Sequence, residues 1–237
     1  MAKEIHSVTE ARSDREALNV IETHSEHSRY LPWKRAIDVV ICLSVLPFLL
    51  VLMGVIALLI VLDTPGSPFF VQERIGKDGR PFRLFKFRTM RVDYRDEKDQ
   101  AYMRAFVSGQ LIEKTKGQDA INKPIRTQDI TRVGRILRKA SLDELPQVFN
   151  VLGGEMSLIG PRPNVPWEVE CYKEWHRERL AVLPGISGLA QVQGRSTLSF
   201  DEIAAYDIEY VRTMSLSTDM TILVSTVRSV FSGKGAL

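Results

Sequence analysis

The sequence predicts a helix-rich fold with a short β-hairpin, carried on a membrane segment. It does so through an uncharged apolar run over residues 39–62, aromatic extended segments around a turn at Lys77-Asp78-Gly79-Arg80, and a succession of helical stretches beyond residue 93. The 237 residues are 44% hydrophobic, with 32 Lys and Arg against 29 Asp and Glu, a formal charge of only +3. That balance supports a buried core and excludes a strongly basic nucleic-acid packager, so nucleic acid is not an expected partner. Cys42 and Cys171 lie far apart in segments of different kind and suggest neither a disulfide framework nor a paired-cysteine metal site. A reducing, cytoplasmic setting fits.

Residues 1–30 carry ten Asp, Glu, Lys and Arg and three of the four histidines, without sustained apolar periodicity. They read as a mobile tail or a loosely attached helix. His6, His24 and His27 lack accompanying cysteines or ordered elements, and solvated tail residues are the better reading than metal ligands.

Residues 31–63 hold the membrane segment. The run 39–62 has 24 positions without a charge and Ser44 as its only polar side chain. It exceeds the apolar core of a secretory signal, and no small-residue cleavage pattern follows, so it is expected to be retained in the mature protein. As a helix at ~1.5 Å per residue it would reach roughly 36 Å, enough for a ~30 Å hydrocarbon core. Pro47 removes a backbone donor and should kink or break the helix near Leu46. The two arms would then measure about 16 and about 22 Å, and neither crosses alone. Arg29, Lys34 and Arg35 precede the segment, and Arg74, Lys77 and Arg80 follow it, so neither side is the more positive. A re-entrant hairpin and a kinked span fit about equally. Lys34, Arg35 and Asp38 sit at helical spacings, which predicts a local interfacial ion pair.

Residues 64–237 follow as a separate unit. Gly66-Ser67-Pro68 breaks the helix, and FFVQERIG and PFRLFKFRTM form the predicted hairpin. Helical spacing over 93–107, an irregular insertion over 108–131, a short amphipathic helix over 132–140 and further helix over 141–152 come next. Beyond Gly153-Gly154, the prolines at 161, 163 and 166 mark a rigid loop, followed by a helix over about 167–182 and a loop over 184–195. Helices are predicted at 200–214 and 218–232, the last with a broad apolar face suited equally to lipid or to the core.

Residues that could carry chemistry gather in three places. Between 74 and 91 there are seven basic residues against Asp78 alone, and their alternation with Phe82, Leu84, Phe85 and Phe87 predicts a strand burying one face while presenting Lys86 on the other. Arg132, Arg135, Arg138 and Lys139 lie directly before Ser141-Leu142-Asp143-Glu144. That tetrapeptide has a structural reading as a capping box, Ser141 with Glu144. It also sets adjacent carboxylates beside arginines, where an anion and a divalent cation could be held and an Asp could attack phosphorus. Arg162, between Pro161 and Pro163, is offered from a stiff backbone suited to bidentate phosphate recognition.

KFRTM (86–90), SLDELPQVFNVLGGEMSLIGPRP (141–163) and PGISGLAQVQGR (184–195), behind a basic-flanked apolar segment with a central proline, resemble the bacterial sugar transferase family, the monotopic polyprenyl-phosphate phosphoglycosyl transferases. The resemblance runs from about residue 32 to 232. It implies a small α/β domain at 64–237, seated by a re-entrant helix-break-helix at 31–63 with Pro47 at the break, and by amphipathic interfacial helices. Both chain ends would then lie on the cytoplasmic face of the bacterial inner membrane. It implies transfer of a sugar-1-phosphate from a UDP-sugar to polyprenyl (undecaprenyl) phosphate, with release of UMP. Asp143 would be the nucleophile, Glu144 the Mg²⁺ ligand, and Arg162, Lys86 and Arg138 the phosphate-binding cations. Leu46 and Leu189 depart from the Ser and Trp common in the family. The competing reading is a membrane-attached basic protein that binds nucleotides or anionic lipids without catalysis. The sequence leaves open the sugar, the glycan pathway and the oligomeric state, a homodimer included; 108–131 and 164–183 are the segments expected to carry selectivity.

Overall fold

A computed structural model describes residues 2–91, 97–109, 129–194 and 198–232 of the chain. The side chains of His6, His24 and His27 fall outside the described ones.

A single long helix, α1 (Ala2–Asp63), contains the apolar run. Its portion Tyr30–Asp63 is long and apolar enough to cross a membrane, its most apolar 18-residue stretch having mean hydropathy 3.2. The helix continues through Pro47, where the sequence predicts a kink or break. A proline removes one backbone bond, and here the packing on either side supports the helix. Cys42, Leu46, Leu49, Met53, Ile56 and Ile60 recur at helical spacing and all join one core cluster. The opposite face, including Val40, Phe48, Val51, Val55, Leu58 and Leu62, is apolar and exposed.

Both ends of this apolar stretch are tied to the same globular unit. At its start Lys34 pairs with Asp219, Arg35 donates to the carbonyls of Val151 and Leu152, and Asp38 accepts from Ser157 Oγ at 2.6 Å. Lys34 and Asp38 thus turn to distant partners instead of forming the local pair their spacing predicts, because buried charges require partners and the domain supplies them. At its end Asp63 accepts the Val133 amide at 3.0 Å, and Arg88 donates to the carbonyls of Thr64 and Pro65.

The hairpin forms as predicted. β1 (Phe69–Ile75) pairs antiparallel with β2 (Pro81–Phe87), Phe69 opposite Phe87 and Ile75 opposite Pro81. Asp78 and Gly79 take positive φ in the tight connection. Helix α2 (Glu97–Val107) follows, and α3 (Arg132–Lys139) is capped by Thr131. Most of the expected insertion, residues 110–128, lies outside the described residues.

A 3-10 helix at Leu142–Gln147 leads into α4 (Val148–Gly153). β3 (Ser157–Ile159) pairs in parallel with β4 (Gly185–Ser187), a small sheet inside segments the sequence reads as loops. The helix expected over 167–182 divides into α5 (Pro166–Val169) and a 3-10 helix at Glu174–Ala181, while α6 (Leu189–Gln193) occupies part of the expected loop. α7 (Phe200–Thr213) opens on a Ser199–Glu202 capping box. α8 (Leu216–Ser232) serves two surroundings: Ile222 is buried in a cluster with Tyr210 and Met214, whereas Leu216, Met220, Val224 and Val227 form an exposed apolar stripe.

Candidate active site

Asp143 and Glu144 sit in the first turn of the 3-10 helix that starts at Leu142. Ser141, just before it, holds a left-handed conformation with φ 55°, and its hydroxyl makes no capping bond. The capping box is therefore not formed, because the Glu144 carboxylate is drawn elsewhere. Its Oε1 accepts from Arg162 Nη1 at 2.9 Å and from Lys86 Nζ at 3.3 Å. Residues 58 and 18 positions away in sequence are brought onto one carboxylate oxygen.

Lys86 reaches it from β2. Strand alternation puts Lys86 on the face of Phe82 and Leu84, both buried, and not on the opposite face as the aromatic alternation suggested. The Lys86 side chain is only 15% exposed. Asn150 fixes α4 to this strand, accepting from the Phe85 amide and donating to the Arg83 carbonyl. Of the other cations in the 74–91 cluster, Arg74 and Arg88 serve structure, holding the Pro163 carbonyl and the end of α1.

Arg162 follows a crowded backbone crossing. Gly160 donates to the Ser187 carbonyl and Gly185 to the Pro161 carbonyl, and a Cβ on Gly160 would come within 2.5 Å of the Leu183 oxygen. From behind, buried Arg179 donates to the Arg162 carbonyl at 3.0 Å while pairing with Asp207. Asn164 and Tyr172 also accept from Arg179. This supporting group has no sequence signal: Arg179 stands in a run of charged residues within the helix expected over 167–182, with no local cue to its burial.

The electrostatics follow from enclosure. Glu144 is lowered to about 2, because Arg162 and Lys86 together outweigh the opposing effect of burial. Asp143 is raised above the ordinary carboxylate range, chiefly by burial, with Lys86 opposing that shift and Glu144 adding to it. Lys86 is lowered to about 8 by burial and by the nearby charge of Arg162.

The dyad opens into a cavity of about 710 Å³. Asp143, Glu144, Arg138 and Arg162 line its polar part, and Ile41, Cys42, Val45 and Leu49 of α1 line an apolar part, with Leu158 and Ile186 nearby. Arg138 is held by its Nε–H to Thr89 Oγ1 at 3.0 Å. Lys86 does not line this cavity; it backs Glu144. None of residues 164–183 lines it either, so that segment is not part of the cavity wall.

For Mg²⁺ the donor set fits a particular mode of binding. This ion keeps several waters and takes one or two carboxylates together with substrate phosphate oxygens. Glu144 is held ionised, with its two ion pairs on Oε1, and Asp143 is its neighbour. Among the described residues no group of three or more His, Cys, Asp and Glu forms an all-protein cage.

The model of the family described as "Bacterial sugar transferase" matches residues 29–233. The chain belongs to the bacterial sugar transferase family. Among relatives of this bacterial sugar transferase, the galactosyl transferase CpsE of Streptococcus agalactiae is 38% identical over 79% of this chain and 40% of its own length. The exopolysaccharide production protein ExoY of Sinorhizobium fredii is 36% identical, covering 86% of this chain and 87% of its own. The UDP-glucose:undecaprenyl-phosphate glucose-1-phosphate transferase of Escherichia coli is 36% identical over 86% of this chain and 41% of its own. The chain thus spans most of ExoY but only about two fifths of the two longer relatives.

Proposed function

We propose that this chain is a phosphoglycosyl transferase, moving a sugar-1-phosphate from a UDP-sugar to polyprenyl phosphate at the cytoplasmic membrane face and releasing UMP. The observation that carries the reading is one cavity that joins the Asp143–Glu144 dyad and two arginines to the apolar wall of α1. A donor with a charged diphosphate and an acceptor with an isoprenoid tail need both surroundings at one place.

The Asp143 carboxylate attacks the β-phosphorus of the donor, the bond to the bridging oxygen breaks, and UMP leaves with that oxygen. The sugar phosphate remains as an acyl phosphate on Asp143. The phosphate of polyprenyl phosphate then attacks the same phosphorus, forming polyprenyl diphosphate sugar and returning Asp143 to carboxylate. A carboxylate approaching a diphosphate is repelled, and Arg162 and Arg138 offset this where the phosphates would lie. Lys86 adds positive charge from behind Glu144 and opposes the rise in the Asp143 pKa. Mg²⁺, held by Glu144 and phosphate oxygens, would supply further charge neutralisation.

α1 runs through Pro47 without the break a re-entrant hairpin implies, but the contacts at both ends of the apolar stretch support a seating at one membrane face. A helix crossing ~30 Å of hydrocarbon would meet a domain on one side of the bilayer at one end only, yet Asp38 and Asp63 both bond to the same unit. The exposed apolar faces of α1 and α8 would then contact lipid.

The test is nucleotide release by detergent-purified protein given Mg²⁺, polyprenyl phosphate and a panel of UDP-sugars. UMP is expected with one donor, lost with EDTA and lowered about a thousandfold or more in Asp143→Asn. Release of UDP would indicate transfer of the sugar without its phosphate. Nucleotide binding without any release, unaffected by Asp143→Asn, would favour the non-catalytic binding protein.

A further inference from the structure

Helix α3 carries Arg138 near its C-terminal end and meets the membrane helix at its N-terminal end. The first four amides of a helix have no partner within it. Here Thr131 Oγ1 accepts one, from Gly134 at 2.9 Å, and Asp63 Oδ2 accepts another, from Val133 at 3.0 Å. Asp63 is the last residue of α1 and lies 70 positions from Val133 in sequence. Its carboxylate also faces the positive end of the α3 dipole.

The same residues lock the far end of β2. Arg88 holds the carbonyls of Thr64 and Pro65, directly after Asp63, and the Thr131 amide donates to the Thr89 carbonyl at 3.0 Å. Thr89 Oγ1 then accepts from Arg138 Nε. A Cβ at Gly134 would collide with the Thr89 carbonyl, so helix and strand end touch backbone to backbone. Both the origin of α3 and the hydroxyl that receives Arg138 are thereby referred to the end of α1.

We infer that Asp63 is a positioning residue for Arg138, fixing α3 so that the guanidinium is presented to the cavity beside Asp143. The inference rests on the transfer reaction proposed above. It makes the seating of the membrane helix part of active-site assembly: a shift of the end of α1 shifts the N-terminus of α3 and, through it, Arg138. The dyad follows α3 directly, with the Ser141 amide donating to the Arg138 carbonyl at 3.2 Å, while Lys86 and Arg162 tie Glu144 from other elements. Combining Asp63→Ala with Arg138→Ala separates an effect carried by the arginine from one carried by the dyad.

The experiment is a double-mutant cycle in the full-length detergent-purified protein, measuring kcat and KM for the UDP-sugar in Asp63→Ala, Asp63→Asn, Arg138→Ala and Asp63→Ala/Arg138→Ala. Misplacement of Arg138 on loss of this cap is expected to lower kcat about tenfold in Asp63→Ala, with KM nearly unchanged. Asp63→Asn, whose amide oxygen accepts the same N–H, is expected to recover most of it. In the Arg138→Ala background Asp63→Ala should cost nothing more, the non-additivity of two residues acting through one group. Multiplying effects, a change confined to KM, or an Asn variant no better than Ala would overturn the inference. Hydrogen exchange of the peptide covering 131–138 gives a readout independent of activity, with faster exchange expected in Asp63→Ala and unchanged exchange contradicting the role. A wild-type protein that releases no UMP would instead defeat the transfer reading and leave this exchange result to be judged separately.

Discussion

At Asp143 and Lys86, burial works against the charged form of both groups, in opposite directions on the pH scale. Asp143 is raised and, in the proposed reaction, must be deprotonated to attack; Lys86 is lowered to about 8 from an ordinary 10.5 and loses its charge increasingly above that. kcat/KM is therefore expected to rise as Asp143 ionises and to fall above about pH 8 as Lys86 loses its proton. Lys86→Arg keeps its charge well beyond that range and should carry the alkaline limb upward. A pH–rate profile whose alkaline limb stays in place in that variant would assign the limb to another group. Glu144, lowered to about 2, stays ionised throughout this window, so its pair with Arg162 holds on both limbs while its pair with Lys86 is lost on the alkaline one. The dyad itself was legible because its members are adjacent in sequence and lie among arginines. Lys86 was legible as a cation but not in direction: its place on the buried face follows from strand parity with Phe82 and Leu84, which outweighs the usual preference of lysine for water.

Among the elements, those with a clear period were readable: the hairpin, α3, α7 and α8 all fall where spacing and turn residues place them. β3 and β4 were not, since three residues each show no alternation and their pairing joins positions 157 and 185. The split of the helix expected over 167–182 has a tertiary cause. Tyr172, His176 and Arg179 all turn inward, and Arg179 finds Asp207 across 28 residues, a pairing invisible in local sequence. This pair supports the loop that presents Arg162. Arg179→Met, leaving Asp207 buried without its partner, is expected to cost about 3–5 kcal/mol in urea unfolding, and Arg179→Met/Asp207→Leu to recover most of that loss. Equal stability of the single and double variants would show that the pair is not what holds this element. Gly160→Ala, which forces a Cβ toward the Leu183 carbonyl, should cost about 1–3 kcal/mol and lower kcat by displacing the Arg162 loop. Retained stability and activity in that variant would show that the crossing tolerates a side chain.

For the whole molecule, the question is how a long apolar helix and a polar site share one boundary. The sequence left a kinked span and a re-entrant segment equally open, because length, Pro47 and symmetric basic flanks serve both. The contacts of Asp38 and Asp63 with one globular unit are what no local pattern could disclose. With Cys42 and Cys171 replaced, Trp33→Cys and Ser67→Cys are expected to react with a membrane-impermeant thiol reagent from the same, cytoplasmic side; labelling from opposite sides would establish a span. Seated in this way, the cavity would meet the acceptor's phosphate at the membrane surface while α1 supplies the wall for its tail. In the proposed reaction Asp143 carries the sugar phosphate between donor and acceptor. Mass spectrometry of the protein after incubation with Mg²⁺ and its UDP-sugar, without polyprenyl phosphate, tests it most directly. One added sugar phosphate is expected on the peptide containing Asp143, with an equal amount of UMP, and none in Asp143→Asn. UMP formation only after acceptor is added, with an unmodified protein throughout, would contradict it.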